Sequence, residues 1–196
     1  IKITEEYLKR IRGLLPEAPE EKIKRLMKNY GINEKLARQL LDSEYEDLFE
    51  VIAKETGVAP TVIAATLTET FKALKREGVN IEALTDEQII DTFRLVGSER
   101  TTKEAIPEII KWLVKHEGAK PIDAIRELGL MMIPEDELKR IIDEYVSKNK
   151  GLILERGLSA LGTLMGLVMR DLRGRVKPER VNRMLREKIV EISEKG

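Results

Sequence analysis

Apolar residues in this chain recur every three or four positions, and no stretch alternates at period two, so its hydrophobic faces belong to helices and not to strands. Tyr7, Leu8, Ile11 and Leu15 begin the pattern, and Ile23, Leu26, Met27 and Tyr30 repeat it. The fold class that follows is all-α. Start signals divide the pattern into short helices: Thr4 before Glu5 and Glu6, Asn33 before Glu34, and Thr85 with Gln88 or Thr101 with Glu104 as capping boxes. Gly31, Gly57, Gly78, Gly118 and Gly129 stand where helices should stop, and Pro60, Pro121, Pro134 and Pro178 where they should start. Pro107 would fall in the second turn of a helix opening after Thr102, which calls for a later start or a bend.

The densest core candidate is VIAATLTETFKALKREG, residues 62–78, in which Val62 or Ile63, Thr66 or Leu67, Thr70, Phe71 and Leu74 form a stripe for packing. The apolar turn GLMMIP, residues 129–134, suggests a boundary: residues 1–130 carry 21 basic and 24 acidic side chains, residues 131–196 carry 14 and 11. Two units are expected, a helical domain over 1–130 and a small helical tail over 131–196.

Composition narrows the function classes. Without cysteine there is no disulfide framework and no thiolate zinc site or thiol nucleophile, as suits the cytosol. No uninterrupted apolar run reaches the length of a membrane span, so no membrane partner is expected. A charged fraction of 36% with only five Asn and two Gln resembles a thermophile's composition. The single histidine, His116, makes no triad and reads as a solvated residue near a helix end, while Trp112, at helical spacing from it, reads as a ring packed on the bundle rather than a base-stacking platform. No phosphate loop, nucleophile elbow or zinc-helix motif occurs, and the carboxylates alternate with cations along helices as solvated faces. No residue is assigned a catalytic or metal-binding role.

One stretch departs from the rest. LGTLMGLVMRDLRGRVKPERVN, residues 161–182, turns from a glycine-punctuated apolar run into a cationic segment, in a chain that balances 35 Lys and Arg against 35 Asp and Glu. Leu158, Leu161, Met165, Val168 and Leu172 are expected as a buried stripe facing Val181, Leu185, Ile189 and Ile192, with Gly162 and Gly166 admitting a close backbone approach. That pairing would leave Arg170, Arg173, Arg175, Lys177, Arg180, Arg183 and Arg186 at an outward elbow, opposed only by Asp171 and Glu179 before Glu187. Cations at a helix C-terminus are favourable, but Arg175, Lys177 and Arg180 flank the start of the next helix, where its dipole disfavours them. An anion there would offset the cost, with Gly174 shaping the turn and guanidinium groups clamping phosphate oxygens. A phosphate backbone is favoured over a passive solvated surface, and both readings stay open.

The order L-G-x-L-M-G-x-V-M-R-x-x-R-G-R-x-x-P-x-x-V-N over Leu161 to Asn182 resembles the tail domain of the GatB/YqeY family, found in subunits of tRNA-dependent amidotransferases. ITEEYLKRIRGLLPEAPEEKIKRLMKNYGI and EDELKRIIDEYVSKN resemble segments flanking that tail, so the likeness extends over essentially the whole chain. GVAPTVIAATLTETFKALKREGVNIEALTDEQIIDTF and TTKEAIPEIIKWLVKHEG look closer to the archaeal branch, GatE, than to bacterial GatB. The resemblance implies a YqeY-like three-helix tail that grips the outer corner of tRNA(Gln) at its D-loop, with Gly162, Gly166, Gly174 and Asn182 as fold-defining positions. It also implies a separate cradle domain that uses ATP and Mg²⁺, and a partner subunit, GatD, that releases ammonia; this chain shows no cradle and no cofactor of its own is expected. Leu167 stands where bacterial relatives often have glutamine, and Asp171 interrupts the basic series, so no individual contact carries across. The alternative is a protein-interaction module docking on its own subunit or on a partner enzyme.

Overall fold

A computed structural model describes residues 16–195, together with Glu5 and Gly13. The Tyr7–Leu15 stripe and the Thr4 cap lie outside the described residues. Among the described residues there are helices and no strands. Helices α1 (Pro19–Tyr30), α2 (Glu34–Leu41) and α3 (Glu46–Glu55) are followed by α4 (Pro60–Ala65), a π-helical turn (Thr66–Thr70) and α5 (Phe71–Arg76). Then come α6 (Asp86–Gly97), α7 (Ile106–Lys115) and α8 (Pro121–Glu127). The tail consists of α9 (Glu135–Lys148), α10 (Lys150–Arg156), a 3₁₀ turn (Gly157–Ala160), α11 (Leu161–Leu172) and α12 (Pro178–Lys195).

Helix ends follow local chemistry. Asn33 accepts the Leu36 N–H at 2.9 Å, and Thr85 and Gln88 close a reciprocal capping box at α6. The expected Thr101–Glu104 box is absent: Thr101 is fully buried and its hydroxyl donates instead to the Leu130 carbonyl at 2.7 Å. Pro107 is accommodated by a later start, a 3₁₀ turn at Lys103–Ala105 leading into α7 at Ile106. The stripe in residues 62–78 is interrupted by the π turn, at whose entrance the Thr66 and Thr68 hydroxyls donate to the Val62 and Ala64 carbonyls at 2.8 and 2.7 Å. Such side-chain bonds compete for i−4 carbonyls and favour a widened turn.

Three apolar clusters hold these elements. The largest runs from Ile23 to Ile110 and includes Phe49, Phe71 and Phe93. A small one joins Ala105, Ile109, Leu113, Ala124 and Ile125. The tail cluster draws its buried side chains from residues 133–189. Within it α11 buries Leu164, Val168 and Leu172 against Val181, Leu185 and Ile189 of α12. The stripe is therefore rotated from the expected one: Leu161 and Met165 are half-buried at its edge and Leu158 is 49% exposed.

The middle tail helix differs from expectation in length too. Lys150–Leu172 spans 23 residues with a mean hydropathy of 1.5 in its most apolar window, long and apolar enough by those measures to cross a membrane. It is bent at Gly157, where φ is 54°, and its inner face builds the tail core.

Where the tail meets the other helices, the turn after α11 is tucked in. The Ile133 N–H donates to the Arg175 carbonyl at 2.8 Å and the Met132 N–H to the Arg100 carbonyl at 2.9 Å. Gly174 is buried with φ 81°, and a Cβ there would stand 3.1 Å from Leu130 Cδ2 and 3.5 Å from Ala105 Cβ. Both the left-handed backbone and the closeness require glycine.

Candidate nucleic-acid interface

The expected outward elbow is only partly outward. Its backbone centre, Gly174 to Val176, is covered by the Ala105 and Leu130 neighbourhood. Arg175 is half-buried, and its Nε donates to the Met131 carbonyl at 3.3 Å, so that guanidinium serves the junction. Lys177 and Arg180 reach the same acid across the junction: Lys177 Nζ pairs with Glu99 Oε1, and Arg180 lies 3.4 Å from Glu99 Oε2. The Lys177 ammonium, with Arg180 beside it, holds the Glu99 carboxyl below the usual carboxylate range. The anion that the charge pattern demanded at the start of α12 is thus supplied by the chain itself.

Arg170 is exposed and lies 3.0 Å from Asp171 Oδ1. Asp171, the interruption in the basic series, also accepts the Tyr145 hydroxyl of α9. That hydrogen bond, then the one from Arg170, keeps the Asp171 carboxyl below its ordinary range, and the bond to Asp171, followed by burial, raises the Tyr145 phenol above its own.

Arg173, Arg183 and Arg186 remain. All three are exposed, and among the described residues none forms an ion pair or a side-chain hydrogen bond. Arg183 and Arg186 are three residues apart and share the outer face of α12. Arg173 caps the end of α11 beside a shallow cleft lined by Glu104, Pro107, Glu108 and Leu130.

Gly162 and Gly166 are corrected in role. Both are exposed, and a Cβ built at either would meet nothing within 4 Å, so they do not admit a neighbouring helix. Together with exposed Thr163, and Ser159 in the preceding 3₁₀ turn, they form a bare strip along α11 that leads toward Arg170. Asn182 is half-buried on α12. Leu154 and Leu158 are 53% and 49% exposed on the adjoining surface.

Sequence reasoning missed Glu99, because its partners stand 78 and 81 residues away and no spacing links them. It also missed Lys188, which ties α12 to Asp143 of α9 at 2.9 Å. Outside the tail, the His116 ring stacks on Trp112 with centroids 3.9 Å apart and shares a hydrogen bond between its Nδ1 and the Trp112 carbonyl at 2.8 Å. Among the described residues no three His, Cys, Asp or Glu side chains converge to hold a metal ion.

A family model described as the GatB domain matches residues 47–189. The chain belongs to the GatB/Yqey family. It is 39% identical over 193 residues to the E-subunit of the glutamyl-tRNA(Gln) amidotransferase of Methanococcus maripaludis strain C7. Identity is also 39% to the proteins of the same description from Thermococcus gammatolerans and Methanocaldococcus jannaschii. In each case the match takes in 97% of this chain, which spans 30% of the relative's length. The family match covers α3 to most of α12, so the unpaired arginines and the bare strip on α11 all lie inside it.

Proposed function

We propose that this chain is the tRNA-binding part of a tRNA-dependent amidotransferase subunit that converts Glu-tRNA(Gln) to Gln-tRNA(Gln), holding the outer corner of tRNA(Gln) at its D-loop. The observation that carries the reading is the set Arg173, Arg183 and Arg186, exposed and without an ion pair among the described residues in a chain of zero net charge. Guanidinium groups left this way suit phosphate oxygens, which they take bidentately. The bare strip of Ser159, Gly162, Thr163 and Gly166 beside Arg170 offers a surface low enough for sugars or base edges to approach. Folded RNA is recognised through its backbone, 2′-hydroxyls and loop bases.

The relatives' longer chains leave room for other chemistry. ATP and Mg²⁺, which the family resemblance implies for a separate cradle domain, would be used outside these residues, and no catalytic step is assigned to this chain. A partner that supplies ammonia, GatD, would meet the whole subunit. A second reading, protein docking, is favoured by one observation, the exposure of Leu154 and Leu158.

Binding of a tRNA(Gln) transcript measured over a salt series tests the proposal. Log affinity is expected to fall linearly with log salt, with a slope of several units. Arg173→Ala, Arg183→Ala and Arg186→Ala should each flatten the slope by about one unit, while Arg175→Ala should leave it unchanged. Slopes untouched by the first three substitutions would remove this surface as the RNA contact. Weakened subunit assembly on Leu154→Ser and Leu158→Ser with unaltered tRNA affinity would favour the docking reading.

A further inference from the structure

The end of α6 places an acid where the same motif elsewhere in the chain has glycine. At the end of α5 the Gly78 N–H bonds the Lys75 carbonyl and the Val79 N–H the Leu74 carbonyl; at the end of α8 Gly129 and Leu130 repeat the pattern on Arg126 and Ile125. Both glycines have positive φ, 86° and 64°. At the end of α6 the bonds are those of Glu99 to Val96 and of Arg100 to Leu95, and the left-handed residue is Glu99, with φ 57°. It is the only non-glycine residue with positive φ among the described residues. A side chain in that conformation is strained relative to glycine, so something must keep a glutamate there. Its carboxylate spans Lys177 and Arg180.

We propose that Lys177 and Arg180 form a phosphate-binding pair that Glu99 occupies in the free chain, and that an RNA phosphate displaces Glu99 when the RNA binds. This rests on the tRNA reading above and adds a built-in competitor to it. The pair is accessible: the Glu99, Lys177 and Arg180 side chains are 49%, 38% and 32% exposed, and Glu99 and Lys177 line a cleft of about 350 Å³ at the junction. Ion pairs this exposed change an equilibrium by only a small factor, about 1.5- to 5-fold each. A phosphate offers more acceptor oxygens than the carboxylate and, like it, can take the Arg180 fork bidentately. Arg180 also neighbours Arg183 on α12, three residues on, so RNA held by the unpaired arginines presents its next phosphate at high effective concentration. Isolated anions lack that advantage and meet an occupied site. Glu99 therefore favours ligands that engage the whole surface over those that touch only the start of α12.

The test uses Glu99→Gly, which suits the left-handed backbone, and Glu99→Gln, in the 196-residue chain, with tRNA(Gln) transcript as probe. At about 50 mM salt both variants should bind about three- to tenfold more tightly than the parent, and the gain should shrink as salt approaches about 0.5 M. In a Lys177→Ala/Arg180→Ala background Glu99→Gly should change nothing, which separates displacement from the general loss of a negative charge. Equal or weaker binding by Glu99→Gly with an unchanged melting temperature, or a gain that persists in the double-alanine background, would overturn the inference while leaving the tRNA reading intact. Failure of the parent and every variant to bind the transcript would sink both.

Discussion

Gly162 and Gly166 sit inside a helix with open space where a Cβ would go. Replacing either by alanine should stabilise the chain by about 0.5–1 kcal/mol, because alanine loses less backbone entropy and nothing is there to clash; denaturant midpoints measure it, and a loss of stability would restore the close-packing expectation. Gly174→Ala should act in the opposite sense, since φ is 81° and Leu130 Cδ2 stands 3.1 Å away. Identical residue types thus differ in role, and the sequence distinguishes them poorly: the spacing of Gly162 and Gly166 suits a helix crossing as well as a bare surface. Asp171 carries a pH prediction. Its folded carboxyl lies below the ordinary range through Tyr145 and then Arg170, so its contribution is present above the unfolded pKa of about 4 and is lost as pH falls below it. Melting temperatures should drop more steeply between pH 5 and 3 in the parent than in Asp171→Asn.

At the scale of elements, the tail core depends on α11 and α12. Leu164 and Leu185 are fully buried where those helices meet, so Leu164→Ala or Leu185→Ala should cost about 2–5 kcal/mol, whereas Leu158→Ala, at an exposed position, should stay within about 0.5 kcal/mol. Equal costs would mean that the buried stripe passes through Leu158 after all. Helix starts at Pro60, Pro121 and Pro178 and stops at Gly31, Gly78 and Gly129 were legible because each is a local backbone requirement. The face of α11 was not, because Leu161, Leu164, Met165, Leu167, Val168, Met169 and Leu172 allow several three-and-four stripes and only the partner helix chooses among them. Thr101 illustrates the same limit: its capping sequence is intact, but Leu130, 29 residues on, takes its hydroxyl.

Across the whole molecule, the charge pattern of residues 170–186 pointed to an anion site, and the chain meets that demand in two ways. Glu99 neutralises Lys177 and Arg180 from the other side of the junction, and the Met131 carbonyl takes Arg175. Neither partner could be read from the sequence, since both are long-range contacts through a junction that local spacing does not encode. The surface we propose for tRNA is therefore narrower than seven cations, centred on Arg173, Arg183 and Arg186 with the bare strip of α11 beside them. The most direct measurement is chemical footprinting of tRNA(Gln) by the 196-residue chain, set against a transcript with an altered D-loop and against the Arg173→Ala/Arg183→Ala/Arg186→Ala variant. Protection at the outer corner of the native transcript is expected, lost with the altered loop and with the triple substitution. Undiminished protection in both controls, or protection confined to another part of the tRNA, would contradict it.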